Sequence, residues 1–81
     1  MQKIFTVHDS KAQAYLPPFY MRTKGEAIRA FETTVKDTNS QFNKYPQDYT
    51  LVELGEFDDN TGSIITLPSP LIISNASEFL H

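Results

Sequence analysis

The spacing of hydrophobic and polar residues changes period along this chain, and each change marks an element. From Gln2 to His8 the run Ile4-Phe5-Thr6-Val7 is β-branched or aromatic throughout, and Asp9-Ser10 closes it with turn chemistry. This predicts a strand. Phe5 and Val7 share one face, Ile4 and Thr6 the other. Apolar groups on both faces place that strand inside a sheet and not at its edge. After Thr23 the period becomes helical: Ala27, Ile28, Phe31 and Val35 form a stripe within Lys24 to Lys36. Thr23 with Glu26 three residues on has the pattern of a capping box, and Asp37-Thr38-Asn39-Ser40 stops the helix. From Tyr49 to Phe57 the period falls to two. Asp58-Asp59-Asn60-Thr61-Gly62 then supplies a turn, and Ser63 to Leu67 returns as a second strand. The glycine is expected at positive φ, closing a hairpin.

The remaining stretches are less regular. Ala12, Ala14 and Tyr15 have the spacing of a helical turn, but Pro17-Pro18 stops any helix. Leu16 to Phe19 is therefore expected to be extended, as polyproline II or an edge strand. Tyr15, Leu16, Phe19 and Tyr20 make this connection apolar enough that it must cover a core or meet a partner. Gln41 to Asp48 reads as an ordered polar loop anchored by Phe42 and Tyr45. Pro68-Ser69-Pro70 is expected to break the hairpin pattern. Beyond it, Leu71-Ile72-Ile73 is either a short edge strand or a docked apolar segment. Asn75 to Leu80 is either a last helical turn or a frayed end. The organisation expected is one compact domain over residues 1–67 and a tail over 68–81. The fold class is α+β: a small antiparallel sheet of three to four strands with one amphipathic helix packed on one face.

Composition narrows the chemistry. Eighty-one residues make one domain, 40% of them hydrophobic, and there is no cysteine for a disulfide, a thiolate metal site or thiol catalysis. No apolar run approaches the roughly 20 residues of a membrane helix, so no membrane partner is expected. Lys3 is followed by alternation and not by an apolar core of a signal peptide. His8-Asp9-Ser10 has the residue types of a hydrolytic triad, but neighbours on a strand cannot converge on one another. Asp58-x-Asn60-x-Gly62 opens like a calcium loop and then lacks the closing glutamate, where Ser69 stands instead. His8 and His81 are too few and too far apart for a metal. The chain is expected to be non-enzymatic, with no catalytic residue, no metal and no cofactor.

One constellation has binding logic. Lys11, Arg22, Lys24 and Arg29 are interleaved with Tyr15, Phe19 and Tyr20. Single-stranded nucleic acid is held by bases stacked on aromatic rings beside a cationic groove. The net charge of −3 opposes a general phosphate binder, yet the charge is segregated. Up to Lys36 there are six Lys/Arg against three acids, and beyond it one Lys against seven acids. The alternative is that the rings pack on the core and the cations only solvate the surface.

Three stretches taken together carry a resemblance. They are Ile4-Phe5-Thr6-Val7-His8-Asp9-Ser10-Lys11-Ala12 with Ala14-Tyr15-Leu16-Pro17-Pro18-Phe19, then Lys24-Gly25-Glu26-Ala27-Ile28-Arg29-Ala30-Phe31, then Tyr45-Pro46-Gln47-Asp48-Tyr49-Thr50-Leu51 with Leu54-Gly55-Glu56-Phe57-Asp58-Asp59-Asn60-Thr61-Gly62. In this order they resemble the small nonstructural protein of gokushoviruses, single-stranded DNA phages of the microvirus group. The resemblance implies a protein of the infected bacterial cytoplasm, absent from the mature particle, that assists genome replication or single-stranded DNA synthesis. It supplies no catalytic residues. Two readings of function follow. One is an accessory factor that contacts single-stranded DNA or the phage replication protein. The other is an interaction adaptor or small homo-oligomer that acts on a host or phage protein without touching DNA.

Overall fold

The computed structural model describes residues 1–80, and His81 lies outside the described residues. Strand β1 (Gln2–Asp9) is buried at four consecutive positions, Ile4 to Val7, as apolar groups on both faces require. It lies between β4 (Tyr49–Asp58) on one side and, on the other, two short strands in tandem, β2 (Ala14–Tyr15) and β3 (Phe19–Met21). Strand β5 (Ser63–Asn75) pairs with β4 and forms the far edge. Every pairing is antiparallel. The fold is α+β, a curled antiparallel sheet with one main helix.

Helix α1 (Lys24–Lys36) covers one face. Its capping box is formed: the Thr23 hydroxyl accepts from the Glu26 amide at 3.1 Å, and Glu26 accepts from the Thr23 amide at 3.2 Å. Ala27, Phe31 and Val35 face the sheet and are buried against Phe5, Val7 and Leu51. Burial of each large side chain contributes roughly 1.5–3 kcal/mol. The expected loop after the helix folds into a short helix α2 (Gln41–Lys44), capped by Ser40, and a 3-10 turn over Pro46–Asp48. Phe42 is the anchor, its ring 5.6 Å from Phe31 and 4.5 Å from Tyr49. Tyr45, expected to be a second anchor, is exposed.

The proline segment splits the edge strand into β2 and β3 without detaching it. The Leu16 amide donates to the Val7 carbonyl at 2.9 Å, and its carbonyl accepts from the Thr6 hydroxyl at 2.6 Å. No helical turn forms at Ala12 to Tyr15; the chain turns there instead, with Gln13 at φ 55°.

The strand expected to end at Leu67 runs on to Asn75. Thr66 pairs with Gly55 and Leu71 with Glu53, so the residues between them are looped out as a bulge that contains Pro68 and Pro70. A bulge on an edge strand is where prolines are tolerated, because no ladder bond needs their missing N–H. After the bulge the chain rejoins β4. Asn75 then caps a 3-10 turn, Ala76–Phe79, by a second capping box with Glu78. Its Nδ2 also donates to the carbonyls of Gln47 and Tyr49 and to the Thr50 hydroxyl, at 3.0–3.2 Å. Ala76 is fully buried, and the Phe79 ring lies 6.0 Å from Phe31.

Gly55 marks the tightest approach in the sheet. A Cβ there would run into the Ile65 carbonyl oxygen and lie 2.9 Å from Thr66 Cα. Gly62, at φ 76°, closes the hairpin turn with open space around it. Two outcomes are expected in urea unfolding. Gly55→Ala costs about 2–3 kcal/mol because backbone must move, whereas Gly62→Ala costs nearer ~1 kcal/mol from its φ alone. Asn75→Ala loses ~2 kcal/mol as cap and cross-link go together. Asn75→Asp, which keeps the acceptor and loses the donor, falls between that variant and the native chain.

Candidate interaction face

The two faces of the sheet differ in charge. Every charged residue within the strands, namely Lys3, Asp9, Glu53, Glu56 and Asp58, alternates onto the helix side. Lys3 there bridges Glu53 at 3.7 Å and Glu56 at 3.5 Å, which pairs the otherwise buried Glu53 carboxylate. Among the described residues no helix lies over the opposite face, and its strands place no Lys, Arg, Asp or Glu there. Its floor is Ile4, Thr6 and Val52, all buried. Standing above the floor are Tyr15 (53% exposed) and Tyr20 (44%) at one edge, and Ile64 (58%) and Ile72 (74%) at the other. Tyr15 tilts against His8 at 4.7 Å between ring centroids, and Tyr20 meets Phe57 edge-on at 6.1 Å. Between these edges lie two hollows of about 300 and 280 Å³, the first beside Tyr20 and Phe57, the second beside His8 and Tyr15. Volumes of this size sit at the lower limit for small-molecule sites.

The seven residues expected to form one nucleic-acid surface are divided. Tyr15 and Tyr20 are on the uncharged face. Phe19 is on the other, half-buried and stacked on Phe5 at 5.9 Å, so it belongs to the core. Arg22, Lys24 and Arg29 lie before and along α1, with Arg29 two residues from the buried Ala27 and thus on the outer side of the helix. Arg22 reaches Glu26 at 4.0 Å. Lys11 is at the other end of β1, since Lys3 pairs with Met21 and Asp9 with Ala14. At about 3.3 Å per residue that end is roughly 20 Å from Arg22. Lys11 shares a hollow of about 450 Å³ with Asp9 and Asp48, a net acidic setting that disfavours phosphate. Burial there raises the Tyr49 phenol above its ordinary range, and the Asp9 and Asp48 carboxylates push it the same way.

Phe57, Ile64, Pro70 and Ile72 are the face residues that motif reasoning passed over. For the last three the signal was present as an absence: no charged residue occurs from Thr61 to Ser77. The acidic hairpin tip has a local purpose. The Asp58 carboxylate accepts from the Asn60 amide at 2.9 Å, which lowers its pKa, with the Thr61 hydroxyl and amide adding to the shift.

The model of the family described as Phage ORF5 protein matches residues 2–79. The chain belongs to this family. The match runs from β1 through the last 3-10 turn, so it includes both faces of the sheet and the segment after Pro68. The ORF5 description identifies a phage protein and names no activity. No curated protein matches the chain, and no solved structure does. No helix among the described residues is long and apolar enough to cross a membrane, and no cluster of three His, Cys, Asp or Glu among them is arranged to hold a metal ion.

The turn predicts a pH dependence. With the Asp58 pKa lowered from 3.8 by folding, the native state favours the carboxylate. Its contribution is therefore complete above the unfolded value and is lost as pH falls through the folded one. Asp58→Ala should be less stable than the native chain in urea at neutral pH. The gap between the two should close on acidification below pH 3.8.

Proposed function

We propose that this phage protein is a non-catalytic accessory factor of genome replication that works by binding protein, and not by gripping single-stranded DNA. The observation that carries this reading is the separation of rings from cations. Tyr15 and Tyr20 are exposed on a face whose strands hold no charged residue, while Arg22, Lys24 and Arg29 flank or follow the helix of the opposite layer. A groove for single strands needs both at once, rings for bases and cations for the phosphates between them. An uncharged face of half-exposed aromatic and aliphatic side chains has instead the composition of the centre of a protein interface. The resemblance to gokushovirus nonstructural proteins supports the replication setting, the bacterial cytoplasm as the place of action and absence from the mature particle. The phage replication protein or a host protein of the replication machinery is then the target.

Fluorescence anisotropy with a labelled single-stranded oligonucleotide tests the DNA side of this reading. At about 50 mM salt, no saturable binding is expected at protein concentrations up to ~100 μM, the weak end of ordinary non-specific affinity. Saturable binding that disappears in an Arg22→Ala, Lys24→Ala, Arg29→Ala triple variant would overturn it. Co-purification from infected cells should retain the same protein partners with and without nuclease.

A further inference from the structure

We propose that the first half of β5, Ser63 to Leu67, pairs edge to edge with the same segment of a second copy of this chain, antiparallel, about a two-fold axis at Ile65. This goes beyond the protein-binding reading of the open face and leaves that face free. The axis stands perpendicular to the sheet, so the two sheets join side by side.

The first observation is that this edge is unfinished. Strand β5 is the last of the sheet and, among the described residues, pairs with β4 alone. Ile64 is 58% exposed, and Ile65, on the other face, is 53% exposed. Apolar side chains on both faces are the pattern of a strand with neighbours on both sides. Edges are ordinarily blunted by charges and prolines, and Ser63 to Leu67 contains neither. The second half of β5 is blunted. The bulge with Pro68 and Pro70 precedes it, and the Asn75 amide at its end is taken by Glu78 at 2.7 Å. At the opposite edge of the sheet, Pro17-Pro18 divides the strand in two.

The second observation is register. The Leu16 amide donates to the Val7 carbonyl, so the odd-numbered residues of β1 turn their backbone groups toward β2 and β3. Antiparallel ladders alternate, so Gln2 and Ile4 turn theirs to Phe57 and Gly55 of β4. Ile64 and Thr66, opposite Phe57 and Gly55, then point N–H and C=O away from β4, at the free edge. The tight fit of Gly55 against Thr66 Cα agrees with a pair that shares no ladder bond. With Ile65 on the axis, Ile64 faces Thr66 of the copy and Thr66 faces its Ile64, and each such pair exchanges two backbone hydrogen bonds. Ile65 lies against its own image. A displaced register draws in either the turn at Gly62 or Pro68, which has no N–H.

The third observation is charge. Each chain carries a net −3, yet no charged residue occurs from Thr61 to Ser77. Antiparallel pairing also sends the two Asp58-Asp59 turns to opposite ends. Two acidic chains therefore meet here without like charges opposed. A ladder from Ser63 to Leu67 is about 16 Å long, which makes this a contact of the small, transient class.

The chain has no cysteine, so an introduced one reports on its own position. Across a pair without ladder bonds the Cα atoms lie about 4.5 Å apart, within the span of a disulfide. With oxidised glutathione as oxidant, the full-length Ile65→Cys variant is expected to form a disulfide-linked dimer at least about tenfold faster than Ile72→Cys. Ile72 is the control because it is 74% exposed on the same strand. Sedimentation equilibrium of the wild type up to ~1 mM should show a reversible dimer of the 9.2 kDa chain. Thr66→Pro removes an outward N–H that no ladder bond within the chain uses, and it should weaken the dimer by about tenfold or more. Circular dichroism confirms that this variant keeps the fold; should it not, the cysteine comparison decides. A wild-type monomer at every concentration overturns the dimer. Equal cross-linking at Ile65 and Ile72 overturns this register, as does a folded Thr66→Pro variant that dimerises like the wild type. These results are separable from the anisotropy experiment. DNA binding there removes the protein-contact reading of the open face, whereas a monomer that binds no DNA removes only the dimer.

Discussion

The burial of β1 on both of its faces is the constraint on which the rest of this structure depends. Four consecutive residues, Ile4 to Val7, are withdrawn from water, and a single helix can cover only two of them. Phe5 and Val7 are met by α1. Ile4 and Thr6 must be closed in by other means. Tyr20 beside Ile4, and Leu16, whose carbonyl accepts a hydrogen bond from the Thr6 hydroxyl, supply part of that cover. The proline segment is thus a clasp over the central strand. Its two short strands hold the edge of β1 that β4 leaves open, and Pro17-Pro18 sets the offset between them.

The same constraint creates the face to which the proposed function is assigned. A small sheet with one helix has one face to spare, and a chain of this size has little further material to put there. Charge is then the variable that distinguishes the two faces. Lys3, Glu53 and Glu56 lie together on the helix side, where the ion pairs offset the cost of a buried carboxylate. The opposite face receives tyrosine, phenylalanine and isoleucine. The cations suited to phosphate therefore end in a different layer from the exposed rings, although the two alternate closely in sequence.

Much of the fold could be read from local pattern. The helix from Lys24 to Lys36, its Thr23–Glu26 cap, the hairpin turned at Gly62 and the two-sided burial of β1 are all local or nearly so, and each signal agrees with its neighbours. The segment after Leu67 was less legible. Two prolines argue for the end of a strand when only neighbours are considered. Whether they sit in a ladder or in a bulge depends on what β4 offers opposite them, and that is set about fifteen residues earlier in the chain. The Asn75–Glu78 capping box was visible as a pattern, yet its tie to Gln47, Tyr49 and Thr50 was not.

The candidate site divides in the same way. The residue types for nucleic-acid contact, Lys11 through Arg29 with Tyr15 to Tyr20 among them, were all present in one stretch of sequence. Their separation arises because a strand sends successive side chains to opposite faces and a helix turns by about 100° per residue. Phe19 and Tyr20 are adjacent in the chain and point into different environments, one into the core and one to solvent. Local periodicity determined by itself that this chain forms an amphipathic helix and a sheet with a hydrophobic centre, because those choices minimise exposed apolar surface within each segment. Which edge β5 would reach, and that the face left open would be the uncharged one, was decided only in the tertiary structure. Both depend on strand order and register, which no short stretch of sequence contains.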